Sequence, residues 1–541
     1  MRFLARIRAQ LDRWRHIADW ALPAVVSLVF FTSLALNSHL RSAYELDPDE
    51  GNNLIKALLL DRGRNLYSEV WSDQPPFYSY LLLYTFRIFG WSVEVGRLLT
   101  AALVAALLYA GYDLVRRQFG GWTGHVAALL GALQLALNPV LVRHSMSAMI
   151  GLPSIVFAML SLWVVAAAPP GRRLALLGSG ALFALSLATK LFTAFLLPVA
   201  AGLAAWSAIR AGGDDRTRRA VRALGYWALG FGVTVLLTML PVLLGNGFGQ
   251  LLSSHLVGRE LMGQDGRSVT QFLTSQRRLY AAAALGFVAA LALRRPVFVG
   301  LGLWCGLGIV LLGRHAPVWL HHSLLISVPA SLLSGFLIGV LVERASSYRG
   351  KRLLALAVAS GLVLSLEVGE LRRSLRKIDE VWFFKDSGSD WRVAEVIRAH
   401  AAHTNLMVTS RQIHAFRLRV EVPPWLAVTS SKRFKVGLLG PKEIIRIIRA
   451  EHPDIVVIDD RWIPWTGNKV QRSLRKKYRL VHEDPKHRGV RVYVRRGQPN
   501  ETSQVVPLKI GAAPASNGKA SASEARGQVL ALRTSLTGTT P

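Results

Sequence analysis

Eleven apolar runs constrain this chain more than any other feature. They lie near residues 22–38, 94–115, 122–140, 150–168, 174–189, 191–209, 223–244, 279–293, 297–313, 322–342 and 353–368. A bilayer core takes roughly 20 helical residues to cross, and each run approaches that length. The expected fold is therefore a polytopic α-helical membrane protein with about 11 transmembrane helices. A mean hydropathy of +0.32 over 541 residues argues against an ordinary soluble enzyme and against a basic disordered tail protein. The single cysteine, Cys305, excludes a disulfide scaffold and a Cys-rich metal site.

The formal charge is +32, from 65 basic and 33 acidic residues, which first suggests nucleic acid. Its distribution points elsewhere. Up to residue 366 there are 33 basic and 16 acidic residues; the remaining 175 residues hold 32 and 17. The second part is thus far more densely charged and reads as a water-facing domain. In the first part clusters of arginine fall at every second linker. The clusters are Arg2 to Arg15, Arg116 with Arg117, Arg172 with Arg173, Arg210 to Arg222, Arg294 with Arg295, and Arg344 to Arg352. Eleven spans put all six clusters on one side, which the positive-inside rule makes cytoplasmic. The expected location is the cell inner (plasma) membrane, multi-pass, with a cytoplasmic N-terminus and an extracytoplasmic C-terminal domain. A cleaved signal peptide over residues 1–38 is the competing reading. The long n-region and the lack of a small-residue cleavage site weigh against it. The surplus of +15 after residue 366 fits a surface facing anionic lipid or acidic envelope polymer.

The acidic residues are gathered in one place. Glu45, Asp47, Asp49, Glu50, Asp61, Glu69, Asp73 and Glu94 are half of the sixteen in the first part, in and just beyond the predicted external loop 39–92. A solvated loop would also keep such charges in water. Their order is more informative. Leu46-Asp47-Pro48-Asp49-Glu50-Gly51 follows the first span, then Gly63-Arg64-Asn65-Leu66-Tyr67, then Trp71-Ser72-Asp73-Gln74-Pro75-Pro76. An amphipathic aromatic stretch from Phe77 to Phe89, suited to the membrane interface, ends before Gly90.

This order resembles the first external loop of the GT-C membrane glycosyltransferases (family 39-like). The likeness is to the bacterial branch related to protein O-mannosyltransferases and to the lipid A aminoarabinose transferase. Leu187-Ala188-Thr189-Lys190 resembles the family's Thr-Lys or Gly-Lys turn, and His321-His322 resembles the pair opening a late helix. Pro423-Pro424-Trp425-Leu426 and Tyr493-Val494-Arg495-Arg496 look like the family's external C-terminal domain, so the likeness spans roughly residues 15–497. There are departures. The family's Lys-Pro-Pro is here Gln74-Pro75-Pro76, and the second acid that many relatives carry is missing near Arg143 to Met149.

The resemblance implies transfer of a sugar from a polyprenyl phosphate to an extracytoplasmic hydroxyl, with inversion. The acceptor would be a lipid, glycan or protein. Such chemistry needs a carboxylate to accept the acceptor's proton and cationic or hydrogen-bonding groups to hold the leaving phosphate. Asp49 matches the family's base, although it could also cap a helix starting near Gly51. Glu50 is the second candidate catalytic residue; it could equally be a first-turn acid favoured by the helix dipole. Donor-phosphate and substrate contacts fall to Lys190, Arg143, His144, His321, His322, Gln74 and Tyr67, with Arg314 and His315 sharing that face. The bland roles are snorkelling for Lys190 and interface anchoring for Arg143 and His144. No metal ligand set is assigned, because adjacent helical histidines diverge by about 100°. No cofactor is required, although a divalent cation is compatible. The expected partners are the lipid-linked sugar, its acceptor and membrane lipid, not nucleic acid.

Residues 370–497 predict a small α/β layer. Helices are expected at Asp390 to Ala402 and Glu443 to Glu451, and strands at Leu406 to Thr409, Ile455 to Ile458, Tyr478 to His482 and Val490 to Val494. Asp459-Asp460 reads as a strand-end turn more readily than as a metal pair. The expected divisions are a transmembrane module 1–369, the outer domain 370–497 and a disordered tail 498–541. No P-loop or G-x-G-x-x-G follows a strand, which argues against an ATP-driven pump and a nucleotide-sugar Rossmann enzyme. Two rivals remain at this stage: a flippase for lipid-linked sugars, and a non-catalytic protein that binds envelope polymer.

Overall fold

The computed structural model describes residues 2–212, 214–256, 268–315, 318–345, 351–382, 389–401, 404–484 and 489–497. The proposed tail lies outside the described residues. A helix lies under each of the eleven apolar runs. Among the described residues six helices are long and apolar enough to cross a membrane: Ile17–Leu36, Val93–Arg116, Leu191–Ile209, Arg216–Leu244, Pro296–Arg314 and Leu320–Ala345. Gly121–Ala136 and Pro139–Ser145 make a seventh if the pair, bent by 68°, is one span. The bend has a local cause. Asn138 caps the second helix by accepting from the amides of Val140 and Leu141, and Pro139 starts it. Leu229, Val233, Leu236, Leu237 and Leu240 of the Arg216–Leu244 helix are exposed, a stripe that would be costly in water and suits lipid.

The predicted outer layer is present. Its four-stranded sheet consists of β1 (Met407–Thr409), β2 (Ile455–Ile458), β3 (Tyr478–Asp484) and β4 (Val490–Arg495), in the order β1-β2-β4-β3. β1 and β2 run parallel and the other pairs antiparallel. Strand alternation splits the sheet's apolar residues between two cores. Val408, Val456 and Ile458 face the Pro441–Glu451 helix, which buries Ile444, Ile447 and Ile448 at helical spacing. Met407, Ile455 and Val457 share a second core with Leu54, Ile55, Tyr67 and Phe86. The loop of the membrane module and the outer sheet are thus built around one core. The Lys351–Trp382 helix also runs through the predicted boundary at 369.

Contact between the loop and the outer layer is close. Gly51, on the Pro48–Asp61 helix, lies against the backbone of the Gln412–Leu418 helix. A Cβ built on Gly51 would stand 2.4 Å from the Ile413 nitrogen. Only glycine permits that approach.

Candidate active site

The site starts at the head of the Pro48–Asp61 helix. Asp47, in extended conformation, is its N-cap and accepts from the Asp49 amide at 3.0 Å, with Pro48 in the first turn. The helix therefore begins three residues before Gly51, and capping falls to Asp47 rather than Asp49. That frees the Asp49 carboxyl, which accepts a 3.4 Å hydrogen bond from Asn52 Nδ2.

Asp49 retains access to solvent although protein crowds around it. The charges nearest it are Lys190, Asp73 and Arg461. Crowding and the Asp73 charge push its carboxyl above the usual range, against the pull of Lys190 and Arg461. Asp47 is pushed up as well, by burial and by Asp49, so the two titrate as a pair.

Glu50, expected beside Asp49 as a second catalytic group, has a different environment. Arg97 donates to it through Nε at 2.8 Å and Nη2 at 2.7 Å, and neither side chain is exposed. The amides of Leu46 and Ala148 complete its shell, each at 3.1 Å. Burial raises its pKa, but the Arg97 charge and these hydrogen bonds outweigh that and hold the carboxyl below its usual range. With both oxygens occupied, Glu50 is held inside the protein and secures the loop.

Lys190 lies in extended conformation between the Arg173–Thr189 helix and a 3-10 turn, where a helical continuation would have turned it away. Its ammonium sits 4.9 Å from the centre of the Phe192 ring and has Asp49, Asp73 and Asp47 as charged neighbours. A Cβ on Gly151 would be 3.6 Å from Lys190 Nζ and 3.5 Å from His321, which places these two groups side by side. The predicted histidines gather there. The His144 and His321 rings are 5.6 Å apart, His321 and His322 4.4 Å, and His315 and His322 5.7 Å. His144 is buried, and among the described residues neither of its ring nitrogens has a hydrogen-bond partner. His322 Nδ1 accepts from the Trp319 amide at 3.2 Å.

The remaining candidates frame the loop. Arg143 is exposed, donates to the Leu46 carbonyl at 3.4 Å and acts on Asp47. Tyr67 is buried at a positive φ of 71°, and its hydroxyl donates to the Gln74 carbonyl at 2.6 Å. Tyr67 thereby sets the course of the Asp73-Gln74 segment through the backbone. Asp459 accepts from the Arg461 amide at 3.1 Å, the strand-end turn that its position suggested. Among the described residues no three His, Cys, Asp or Glu side chains converge as metal ligands.

Three residues near Asp49, and one near Glu45, carried no assigned role in the sequence. Lys56 lies two turns along the same helix, buried, with Asp73 and Asp49 as its charged neighbours. It is the one charge in the apolar stretch Leu54 to Leu60, a signal that could have been read. Asp73 is the acid common to Asp49, Lys56 and Lys190. Arg461 comes from the outer layer and donates to Glu45 at 2.6 Å and to the Pro48 carbonyl at 3.4 Å. Arg411 holds the same Glu45 oxygen at 2.6 Å and also grips Asp390.

Comparison with known proteins agrees with this architecture. Residues 73–246 match the family model described as dolichyl-phosphate-mannose-protein mannosyltransferase. The match begins at Asp73 and leaves Asp49 outside it. Together with the helical membrane module and its outer sheet, this bears out the resemblance to the GT-C membrane glycosyltransferases: the chain is a multi-pass membrane protein with their fold. Among solved structures it is similar to ArnT from Cupriavidus metallidurans bound to undecaprenyl phosphate. The identity is 17%, the TM-score 0.57, and the match covers 89% of this chain and 98% of that one. The apo form of the same protein matches at 16% identity and a TM-score of 0.57, over 87% and 97%. At such identity the likeness is one of fold. No curated protein matches the sequence.

Proposed function

We propose that this chain is a membrane glycosyltransferase that moves a sugar from a polyprenyl-phosphate donor to an extracytoplasmic hydroxyl, with inversion. Asp49 carries the reading. It is an uncapped, solvent-reached carboxylate facing Lys190, while its neighbour Glu50 is locked on Arg97.

The acceptor oxygen attacks the anomeric carbon from the face opposite the phosphate, and its proton passes to an Asp49 oxygen. The bond between that carbon and the phosphate oxygen breaks, and its electron pair leaves on the phosphate. Lys190 meets the departing charge, with His321, His322, His144 and Arg143 on the same side as further donors. Gln74 and Tyr67 belong to the loop that borders the sugar. Asp49 needs only to be ionised and positioned for this role. A lipid phosphate fits the place, since Lys190 lies at the end of the Leu191–Ile209 helix, and a helix of that length crossing a bilayer brings its ends to the headgroups. The undecaprenyl phosphate held by the similar ArnT structure supports a donor of this class. The six arginine clusters support a cytoplasmic N-terminus with the site and outer layer on the opposite face.

The test is transfer from labelled polyprenyl-phosphate sugars into an envelope extract by purified protein. Asp49→Asn is expected to lower transfer by roughly 10²–10⁴-fold. Equal transfer by both proteins would overturn the assignment. Flipping of lipid-linked sugar in liposomes, with no transfer from any donor, would favour a transporter.

A further inference from the structure

A second polar site lies at the other end of the helix bundle. The Leu191–Ile209 helix begins beside Lys190 and ends at Arg210, 19 residues on. With a rise of about 2.0 Å over the 3-10 residues Leu191–Leu196 and about 1.5 Å over Leu197–Ile209 this is roughly 31 Å, close to the thickness of a hydrocarbon core. The Pro296–Arg314 helix makes the same crossing in reverse: it starts at Arg295 and ends beside His315, in the histidine cluster. Between the two far ends is a cavity of about 270 Å³.

Three arginines line it: Arg210 from one helix end, and Arg294 and Arg295 from the linker before the Pro296–Arg314 helix. Among the described residues none of the three makes a side-chain hydrogen bond or an ion pair. Among the described residues no acidic side chain lines the cavity. The nearby Asp113 is committed to Arg116, Arg117 and Trp163. The floor is apolar, with Leu162, Val165 and Leu203. The Pro296–Arg314 helix opens at the rim with no side chain capping its first amides. Arg294 holds a left-handed φ of 52°, a position that favours glycine.

A positive-inside bias accounts for arginines in these linkers. It does not account for three unpaired ones meeting over an apolar hollow. We infer that this cavity binds the phosphate headgroup of an anionic membrane lipid, with the glycerol and upper acyl carbons on the apolar floor. Trp206, exposed at the same rim, suits the interfacial layer where that headgroup lies. The site shares no residue with the Asp49 cleft, so the two assignments stand or fall separately.

Native mass spectrometry of the full-length protein in mild detergent tests it, with phosphatidylglycerol titrated against phosphatidylcholine. Wild type is expected to retain phosphatidylglycerol preferentially. The combined Arg210→Gln, Arg294→Gln and Arg295→Gln variant should bind it roughly a hundredfold more weakly, and the corresponding triple Lys variant should retain most of the affinity. Arg294→Gly guards against a variant that fails to fold. Glycine relieves the left-handed strain, so this protein should be at least as stable as wild type, yet hold the lipid about fivefold less tightly. Equal retention of both lipids, or unchanged binding by the Gln variant and by Arg294→Gly, would overturn the proposal. Competition by inorganic phosphate at the concentration at which the lipid binds would show a free-anion site and overturn the lipid assignment.

Discussion

Arg97 closes on Glu50 through two hydrogen bonds of 2.8 and 2.7 Å, and its third nitrogen holds the carbonyls of Leu40 and Ala43 at 2.8 and 2.9 Å. One guanidinium thereby fixes the chain on both sides of Asp47 and Asp49. Successive residues on a helix point about 100° apart, so locking Glu50 inward turns Asp49 outward. The acid pair that looks like one motif in the sequence is divided by geometry into a buried anchor and an exposed carboxyl.

Glu50→Gln should therefore act on folding rather than on chemistry alone. It removes the hydrogen-bonded counter-charge of the buried Arg97, which costs about 3–5 kcal/mol. Thermal unfolding in detergent should show a large loss of stability. A Glu50→Leu, Arg97→Met double variant should recover much of it, because an apolar pair of similar volume leaves no charge uncompensated. A stable but inactive Glu50→Gln protein would instead return Glu50 to the reaction.

The acid limb of the pH–rate profile is a second test. Burial and Asp73 raise the Asp49 pKa, so activity should fall, as pH is lowered, well before the usual carboxylate value of about 4 is reached. The signs of two variants follow from the charges. Asp73→Asn removes a negative neighbour and should move the limb to lower pH. Lys190→Met removes a positive one and should move it to higher pH, with a rise in KM for the donor. Shifts in the reverse directions would exclude Asp49 as the titrating group.

Local pattern made the helices, the outer strands and the acid-rich loop legible in the sequence. Apolar period and turn residues act over a few positions, and β2 falls where it was expected. The partners that give each acid its role were not legible, because they come from far along the chain. Arg97 is 47 residues from Glu50, Arg411 is 366 from Glu45, and Arg461 is 416 from it. No local signal distinguishes Asp49 from Glu50; the difference is which of them a distant arginine reaches. Lys56 is the exception, a charge inside an apolar helical stretch that was readable without the fold.

Gly51→Ala should disturb the seam between loop and outer layer. The added methyl meets the Ile413 backbone nitrogen at 2.4 Å, and a backbone atom cannot swing aside as a flexible side chain would. Overpacking of this kind costs about 1–3 kcal/mol. Limited proteolysis should reveal faster cleavage of the outer layer. An unchanged protease pattern and melting temperature would mean that the two elements separate readily, and that the outer layer does not brace the Asp49 helix.

The Glu45 junction makes the same claim through charge. One Glu45 oxygen receives Arg411 and Arg461, both from the outer layer, and Arg411 also grips Asp390. Arg411 and Glu45 are almost wholly buried, so their interaction is little screened. A double-mutant cycle of Glu45→Gln and Arg411→Met should give a coupling energy toward the upper end of about 0.5–3 kcal/mol. The effect should extend to catalysis, since Arg461 also holds the Pro48 carbonyl next to Asp49. Arg461→Gln removes a positive charge that lowers the Asp49 pKa, so the acid limb should move to higher pH, and Arg461→Lys should restore it in part. If the cycle shows strong coupling while Arg461→Gln leaves the pH profile unmoved, the outer layer only clasps the loop. If both respond, the outer layer is part of the reaction centre.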